Sequence, residues 1–273
     1  MCYSALVKKD LGFLETHFGA TIVRETFDDY ARAVAIDPKT YPPLEYPRIF
    51  PGHYAPVAVK SLDGDERTTL VPMRYGIWPP AFVDDPKRYA AFNARRDNLA
   101  SKFWSEAVSH HHGLIVLEGF FEWVKVANLV RAGVVALREV TDEFARQSEE
   151  RKQRILAAGK KWKPTLTETK DPMLRDIVIR FRPVSETTLN VPVVCTIAAD
   201  PNHPGGSRRG FAIVTDDPQP EVLAAGHDRC PIFLSDGAAR EWLDAVGKST
   251  GAAEQILRNR RLETLAHGLA ASA

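Results

Sequence analysis

Most of the short apolar runs in this chain are joined by turns and not by helices, and this pattern limits the folds open to it. Runs typical of strands lie at 55–60, 68–71, 114–117, 191–198 and 210–215. A parallel α/β sheet needs a helix between successive strands, whereas strands joined by turns pair antiparallel. We therefore predict an α+β fold with a mostly antiparallel sheet core.

Helices are predicted at only a few places, and a proline-rich segment cannot be helical. They are predicted at 11–18, at 99–108, after a cap at Ser235 or Asp236, and at 250–265. The stretch from 41 to 56 holds five prolines. Because proline removes a backbone donor and clashes with the preceding turn, this density indicates an extended, turning segment.

A segment at about 137–183 differs from its surroundings in being dense in charge. Opposite charges four residues apart, such as Glu150 and Arg154, suit an exposed helix. We interpret the segment as a helical insertion between strands and not as a second domain. The whole chain, 1–273, is then expected to form a single domain.

Composition narrows the class of protein without naming a partner. The formal net charge of the 273 residues is +1, so any surface for nucleic acid must be local. The cysteines, Cys2, Cys195 and Cys230, lack paired spacing, which argues against a disulfide framework and favours a reducing compartment. The N-terminus lacks a secretory apolar region, and no stretch of about 18 apolar residues is present. We expect a soluble, cytoplasmic protein, not a membrane protein.

Cys2 is the residue with the most distinctive chemistry. A cysteine near a terminus is usually a passive small hydrophobe. Methionine aminopeptidases remove Met1 before a small residue, however, and would leave Cys2 with a free α-amine beside its thiol. An α-amine with an ordinary pKa near 8 is partly neutral at about pH 7 and attacks aldehydes to give a Schiff base. The adjacent thiol can close that product to a thiazolidine in an intramolecular step.

Two further segments offer groups that move protons. Glu122 follows an apolar strand and lies among aromatic residues in Glu118-Gly-Phe-Phe-Glu-Trp, where a carboxyl tends towards a raised pKa. His227 lies in the loop Gly226-His-Asp-Arg-Cys-Pro, where Arg229 can hold a phosphate. The alternatives are a surface carboxylate at a strand end, and an Asp228–Arg229 ion pair with a packed histidine.

A fourth segment suits single-stranded nucleic acid. Phe92-Asn-Ala-Arg-Arg-Asp supplies the amide of Asn93 and the guanidinium of Arg95. Cations beside aromatic faces occur nearby, at Arg74 and Trp78. A metal site at 110–112, where three histidines are consecutive, is a further alternative. Such residues cannot all face one ion, and no cysteine pair supports them, so neither a metal nor another cofactor is predicted.

Together and in this order, these segments resemble the SRAP family, the SOS-response-associated peptidases or abasic-site processing proteins. The family opens Met-Cys-Gly-Arg, continues with Asn-Ala-Arg-x-Glu and Gly-aromatic-aromatic-Glu-Trp, and ends with His-Asp-Arg-x-Pro. The matching segments here are 1–2, 93–97, 119–123 and 227–231, and 74–80 is similar to a family Trp-Gly-x-x-Pro-x-Trp segment. Tyr3-Ser4 replaces Gly-Arg, Asp97 replaces Glu, and the late His-Pro-Val-Ser stretch is not found.

The resemblance implies a fold, an activity and residue roles. It implies a barrel-like core flanked by helices, and a protein that crosslinks abasic sites in single-stranded DNA, with self-processing at Cys2, in the nucleoid of a bacterial host. Cys2 would be the nucleophile, Asn93 would orient the amine or the sugar, and Glu122 and His227 would move protons. Arg95 and Arg229 would bind phosphates, with Trp78 and Trp123 near the bases.

Two other functions stay open. One is a thiol hydrolase that uses Cys2 on peptides or amides, in the manner of N-terminal-nucleophile enzymes. The other is a single-strand-binding module in which Cys2 is incidental. The three differ in whether DNA aldehydes give a stable adduct and in whether binding survives Cys2→Ala. We expect a monomer.

Overall fold

The predicted α+β class is confirmed by a computed structural model, which describes residues 4–60, 67–77, 91–185, 187–200 and 203–270. The strands are β1 Ser4–Val7, β2 Thr21–Ile22, β3 Arg48–Ile49, β4 Tyr54–Lys60, β5 Thr68–Tyr75, β6 Asn93–Arg95, β7 His112–Lys125, β8 Asp176–Pro183, β9 Leu189–Ala199, β10 Ser207–Asp216, β11 Cys230–Pro231 and β12 Leu265–Leu269. The α-helices are α1 Leu11–Phe18, α2 Arg24–Ile36, α3 Ser105–His110, α4 Val126–Arg131, α5 Leu137–Ala157, α6 Pro220–Ala224, α7 Asp236–Leu243 and α8 Thr250–Arg258.

Five strands close into a barrel, which confirms the barrel-like core. The order is β10-β5-β4-β7-β9, and β9 pairs back with β10. Pairing within the barrel is antiparallel except between β5 and β10. Closure removes the exposed strand edges that an open sheet would leave.

The barrel strands are buried on both faces, which explains why they read as apolar runs without alternation. In β7, Ile115 and Leu117 pack inside the barrel, while Leu114 and Val116 pack outward. The outward side chains meet helices, among them Trp242 of α7, whose indole donates to the carbonyl of Gly113 at 2.9 Å. A strand that is buried on both faces carries apolar side chains on both, so its sequence does not alternate between apolar and polar residues.

Strand direction places several chain ends together. β5 and β10 run parallel, and β7 runs the same way because it is antiparallel to β4 and β9. The C-terminal ends of β5, β7 and β10 therefore lie at one end of the barrel. β6 runs parallel to the last residues of β10. β1 is antiparallel to β7 and pairs Ser4 with Phe121, so the start of β1 lies at that end too.

Two glycines permit the close approaches on which this geometry depends. A Cβ on Gly119 of β7 would lie 2.6 Å from the carbonyl oxygen of Phe181 in β8. A Cβ on Gly210 of β10 would lie 2.6 Å from the carbonyl oxygen of Gly76. Side chains cannot occupy such positions, so the strands can pack this closely only where glycine stands.

Several sequence predictions need correction. The helix expected at 99–108 starts only at Ser105, after a short 3-10 turn at Arg96–Asn98. The helix expected to run from 250 to 265 ends at Arg258, and β12 follows it. α2 was not predicted. The turn expected between the runs at 55–60 and 68–71 falls mostly on residues 61–66, which lie outside the described residues.

The charged segment is helical, but not over its whole predicted length. α5 covers Leu137–Ala157, and the last eight residues of the segment form β8, which pairs with β7. β8 is apolar at alternate positions, as expected for a strand, and it is held as a strand by its pairing with β7. In the part of the chain that the structure describes, no helix is both long and apolar enough to cross a bilayer.

Candidate active site at one end of the barrel

Glu122 and His227 meet at the end of the barrel where β7 emerges. Glu122 Oε2 lies 3.3 Å from His227 Nε2. The carboxyl is 1% exposed and the imidazole 14% exposed, so water barely screens the pair. Past an irregularity in the β1–β7 register, Phe120 and Glu122 lie on one face of β7, while Phe121 lies on the opposite face.

The loop after α6 holds the histidine in place. Gly226 has φ of +86°, and a Cβ there would lie 2.3 Å from Asn128 Nδ2 of α4. The loop therefore passes against α4 in a backbone conformation that favours glycine. On the far side, β11 fixes the chain by pairing Cys230 with Asp216 and Pro231 with Thr215 of β10.

The backbone of Arg229 can partner either tautomer of His227. Nδ1 lies 2.9 Å from the carbonyl oxygen of Arg229, to which an Nδ1–H would donate. The amide N–H of Arg229 also points to Nδ1, at 3.3 Å, and would donate to it in the other tautomer. In both cases Nε2 faces Glu122, so a proton can move between Nε2 and Oε2 without leaving Nδ1 unpartnered.

Burial decides the usual charge of the histidine. It lowers the pKa of His227 below the ordinary value of 6.5, because the charged imidazolium loses solvation. The imidazole is then mainly neutral near pH 7, the form that accepts a proton. A neutral imidazole against a buried carboxyl suits general acid–base chemistry.

Asp97 pairs with both of the arginines that were predicted to bind phosphate, Arg95 and Arg229. Arg95 donates to both of its carboxylate oxygens, from Nε at 3.0 Å and Nη2 at 2.7 Å. Arg229 Nη2 donates to Oδ2 of the same carboxylate at 3.2 Å. The hydrogen bonds from Arg95 hold the pKa of Asp97 well below its usual range. Asp97, which stands where the family has Glu, therefore orders both guanidinium groups.

The remaining predicted side chains differ in how near they lie. Asn93 opens β6 beside Ile213 of β10 and is half-buried at the same end of the barrel. Arg74 lies near the end of β5, where its Nη1 donates to the carbonyl of Gly76 at 3.1 Å, and burial lowers its pKa. Arg74 pairs with Gly210, three residues before the partner of Asn93, so the two occupy different levels of the barrel.

Cys2 and Trp78 lie outside the described residues. The chain is described from Ser4, whose neighbours on β7 are known: Ser4 is fully buried, pairs with Phe121 and accepts a hydrogen bond from Arg48 Nε at 3.0 Å. Ser4 thus adjoins the residue that precedes Glu122. Trp123, the next residue of β7, is 49% exposed.

The other two cysteines are unsuited to act as nucleophiles. Cys195 and Cys230 are both free and buried. Burial raises the pKa of the Cys195 thiol strongly and that of Cys230 to about 11. A thiol in such a setting stays protonated near neutral pH and unreactive.

Two features of this end of the barrel were not found from the sequence. Arg48 stacks over the ring of Phe121 at 3.8 Å while contacting Ser4. The buried carboxylate of Asp216 accepts from Arg96 at 2.8 Å and Arg260 at 3.1 Å. These contacts could not be found from the sequence, because the partners are distant along the chain.

The consecutive histidines have structural surroundings. His112 is buried, stacks on Trp242 at 4.0 Å between ring centroids and contacts its backbone carbonyl through Nδ1 at 2.8 Å. His111 is half-buried at the end of α3. Among the described residues, no group of three or more His, Cys, Asp or Glu side chains is arranged to hold a metal ion.

Comparison with known proteins agrees with this architecture. A family model described as "SOS response associated peptidase (SRAP)" matches residues 1–268, nearly the whole chain. No curated protein sequence matches significantly.

Solved structures share the fold at low identity. A protein from Bacteroides thetaiotaomicron is 12% identical with a TM-score of 0.60, over 98% of this chain and 91% of its own. A Bordetella bronchiseptica protein is 13% identical with a TM-score of 0.59, over 99% of this chain and 100% of its own. A phage-related protein from the same organism is 17% identical with a TM-score of 0.51, over 82% and 81%. At these identities the likeness concerns the fold alone.

Proposed function

Because the chain belongs to the SOS response associated peptidase family, whose function is associated with DNA damage, we propose that it captures abasic sites in single-stranded DNA covalently through Cys2. The observation that carries the proposal is the buried Glu122–His227 pair beside Ser4. Covalent geometry supports a role for Cys2, since two residues span at most about 7 Å. The proposal therefore requires the first residue of a processed chain to act within about 7 Å of Ser4, which pairs with the residue before Glu122.

The proposed chemistry needs two nucleophiles and a proton carrier. The α-amine of Cys2 adds to the C1′ aldehyde of the opened deoxyribose, and the carbinolamine formed loses water to give an imine. The thiol then adds across the C=N bond, with sulfur on carbon and the proton on nitrogen, so the thiazolidine forms with net loss of one water. Neutral His227 accepts the amine proton, and the Glu122–His227 pair returns a proton to the departing hydroxyl.

The same end of the barrel offers groups for the DNA. Arg95 and Arg229, ordered by Asp97, would contact phosphates beside the lesion, and the half-exposed Trp123 would stack on a base. Asn93 would orient the amine or the sugar. A contact by Trp78 stays a prediction from the sequence.

A denaturing gel tests the proposal. Purified protein with a uracil-excised single-stranded oligonucleotide should give a denaturation-resistant band, and the intact oligonucleotide should not. Cys2→Ala should abolish the band, since its amine alone gives a reversible imine. Cys2→Ser should behave in the same way, but both variants should be trapped by borohydride. Intact mass must first show that Met1 is absent.

The outcomes separate this proposal from the two rival functions. A wild-type protein that lacks Met1 and gives no band contradicts covalent capture. Binding of single strands that persists in that case indicates a non-covalent module. Cleavage of peptides or amides that depends on Cys2 indicates a thiol hydrolase. Glu122→Gln and His227→Ala should slow the band in the proposed reaction while leaving strand binding unchanged.

A further inference from the structure

A basic cavity of about 350 Å³ lies between α5 and the outer face of the sheet. Its lining includes four arginines, Arg48, Arg151, Arg154 and Arg175. Two glutamates, Glu150 and Glu168, also line it. The lining therefore carries a net positive charge, and the neutral groups Gln147, Ser148, Thr165 and Thr167 add hydrogen-bonding capacity.

Both carboxylates are already paired with arginines, one inside the lining and one outside it. Glu168 accepts from Arg151 Nη1 at 2.9 Å. Glu150 pairs with Arg146, on the turn of α5 before it. Within the described ranges, neither Arg154 nor Arg175 lies within 4.0 Å of a carboxylate oxygen. Two cationic side chains thus line the cavity without an ion-pair partner there.

Arg175 is held towards the cavity by packing. Its guanidinium lies 3.3 Å from the ring centroid of Phe144, a buried residue of α5. Burial lowers the pKa of Arg175, so this charge is partly desolvated. An anion in the cavity would restore the lost solvation, because charge-assisted contacts strengthen as water is excluded.

The cavity adjoins the candidate active site through two strands. Arg48 lines it and also contacts Ser4, two residues after Cys2. Val178 lines it and pairs across β8 and β7 with Trp123. The cavity therefore lies on the Trp123 face of β7, opposite the face that carries Glu122.

We infer that this cavity binds a backbone phosphate of the single strand, next to the nucleotide held at Cys2 and the base stacked on Trp123. The inference rests on the proposed function for its position along the strand. It assigns the charged insertion a role, since α5 supplies Arg151 and Arg154 and the segment that follows supplies Arg175. The proposed ligand is a phosphate group. Experiments can distinguish a phosphate of the DNA strand from that of a free nucleotide.

The test measures anisotropy of a fluorescein-labelled single-stranded oligonucleotide without an abasic site, across a salt series. Arg154→Glu should weaken binding roughly tenfold at low salt. The slope of log K against log salt should fall by about 0.7, the value for one phosphate contact to a single strand. Arg138→Glu is the matched control, since Arg138 is on the same helix and its side chain is 91% exposed, outside the cavity lining. It should bind within about twofold of the wild type.

Arg154→Ala protects the test against misfolding, because alanine favours the helix and Arg154 is exposed. It should melt at the wild-type temperature and still lose affinity. Wild-type affinity and slope in both variants would overturn the inference. Arg154-dependent binding of deoxyadenosine monophosphate or inorganic phosphate, with strand binding unchanged, would also overturn it and assign the cavity to a free phosphate.

The two proposals fail in different ways. If the wild type forms no adduct but its strand binding depends on Arg154, covalent capture is wrong and the phosphate site stands. If the adduct forms and Arg154→Glu binds normally, the phosphate site alone is wrong.

Discussion

Glu122 and His227 lie 3.3 Å apart between Oε2 and Nε2, although one stands in β7 and the other in a loop after α6. The pair is buried, and Nδ1 is partnered by the backbone of Arg229. This arrangement lets the imidazole gain or lose a proton at Nε2 while its ring stays fixed. The pair and the groups that surround it can therefore be tested one at a time.

The pH dependence of stability should report the burial of His227. Its folded pKa is below the unfolded value of about 6.5, so below that value the unfolded chain binds more protons. The stability that the neutral imidazole contributes is present above about pH 6.5 and is lost as the pH falls towards the folded pKa. Urea unfolding at pH 7 and pH 5 should show a larger loss for the wild type than for His227→Gln. Equal losses would contradict the burial effect.

Gly226→Ala should destabilise the protein and displace His227. The left-handed backbone there costs a non-glycine residue about 1–3 kcal/mol, before any clash with Asn128 is counted. Gly237→Ala is the matched control. Gly237 lies exposed in α7, and a Cβ there would have nothing within 4 Å, so alanine should stabilise by up to about 1 kcal/mol. Thermal melting compares the two, and equal melting temperatures would refute the prediction.

Asp97 should stay ionised in acid. The guanidinium of Arg95 lowers its pKa, so its carboxylate should remain charged at about pH 3, where an ordinary aspartate with pKa near 3.9 is mostly protonated. Its contribution to stability is present above the unfolded pKa and is lost only as the pH falls through the folded one. Carboxyl carbon NMR follows the titration, and Asp97→Asn assigns the signal. A midpoint near 3.9 would show that the two arginines do not hold it in solution.

Trp123→Ala should weaken single-strand binding by about fivefold or more, the lower end of base–aromatic stacking energies. The fold should be unaffected, since the side chain is 49% exposed. Leu174→Ala, at a side chain 72% exposed on the neighbouring segment, is the control for loss of apolar surface. Trp123→Phe should keep part of the affinity. Anisotropy with an intact oligonucleotide measures all three, and unchanged binding by Trp123→Ala would exclude stacking there.

The sequence predicted local structure best where the chain's own neighbours decide it. α7 begins after Ser235, whose hydroxyl accepts from the amide of Ala238 as a capping residue should. The predicted strands at 191–198 and 210–215 correspond to β9 and β10, with ends differing by a few residues. β12 could not be predicted from the sequence. Its strand conformation depends on pairing with β8, and its five residues show no clear strand pattern of their own.

Parts of the candidate site could also be predicted from the sequence. Glu122, His227 and Arg229 were chosen for the chemistry of their motifs, and the structure brings all three to one end of the barrel. Their mutual distances were beyond the sequence, because they depend on the closure of β7, β9 and β10 into one barrel. The role of Asp97 as a shared partner of Arg95 and Arg229 was equally hidden, since two separate segments meet there.

By itself the sequence determined which groups this protein can use: an aminothiol if Met1 is removed, a carboxyl among aromatics, an imidazole between glycine and proline, and arginines beside an amide. Tertiary structure alone decided which of these groups lie close together. It also decided which thiols are buried and unreactive, and where a basic cavity forms beside α5. The physical reason is that composition and spacing act through neighbours along the chain. Burial and proton transfer depend instead on distances that only the closed barrel sets.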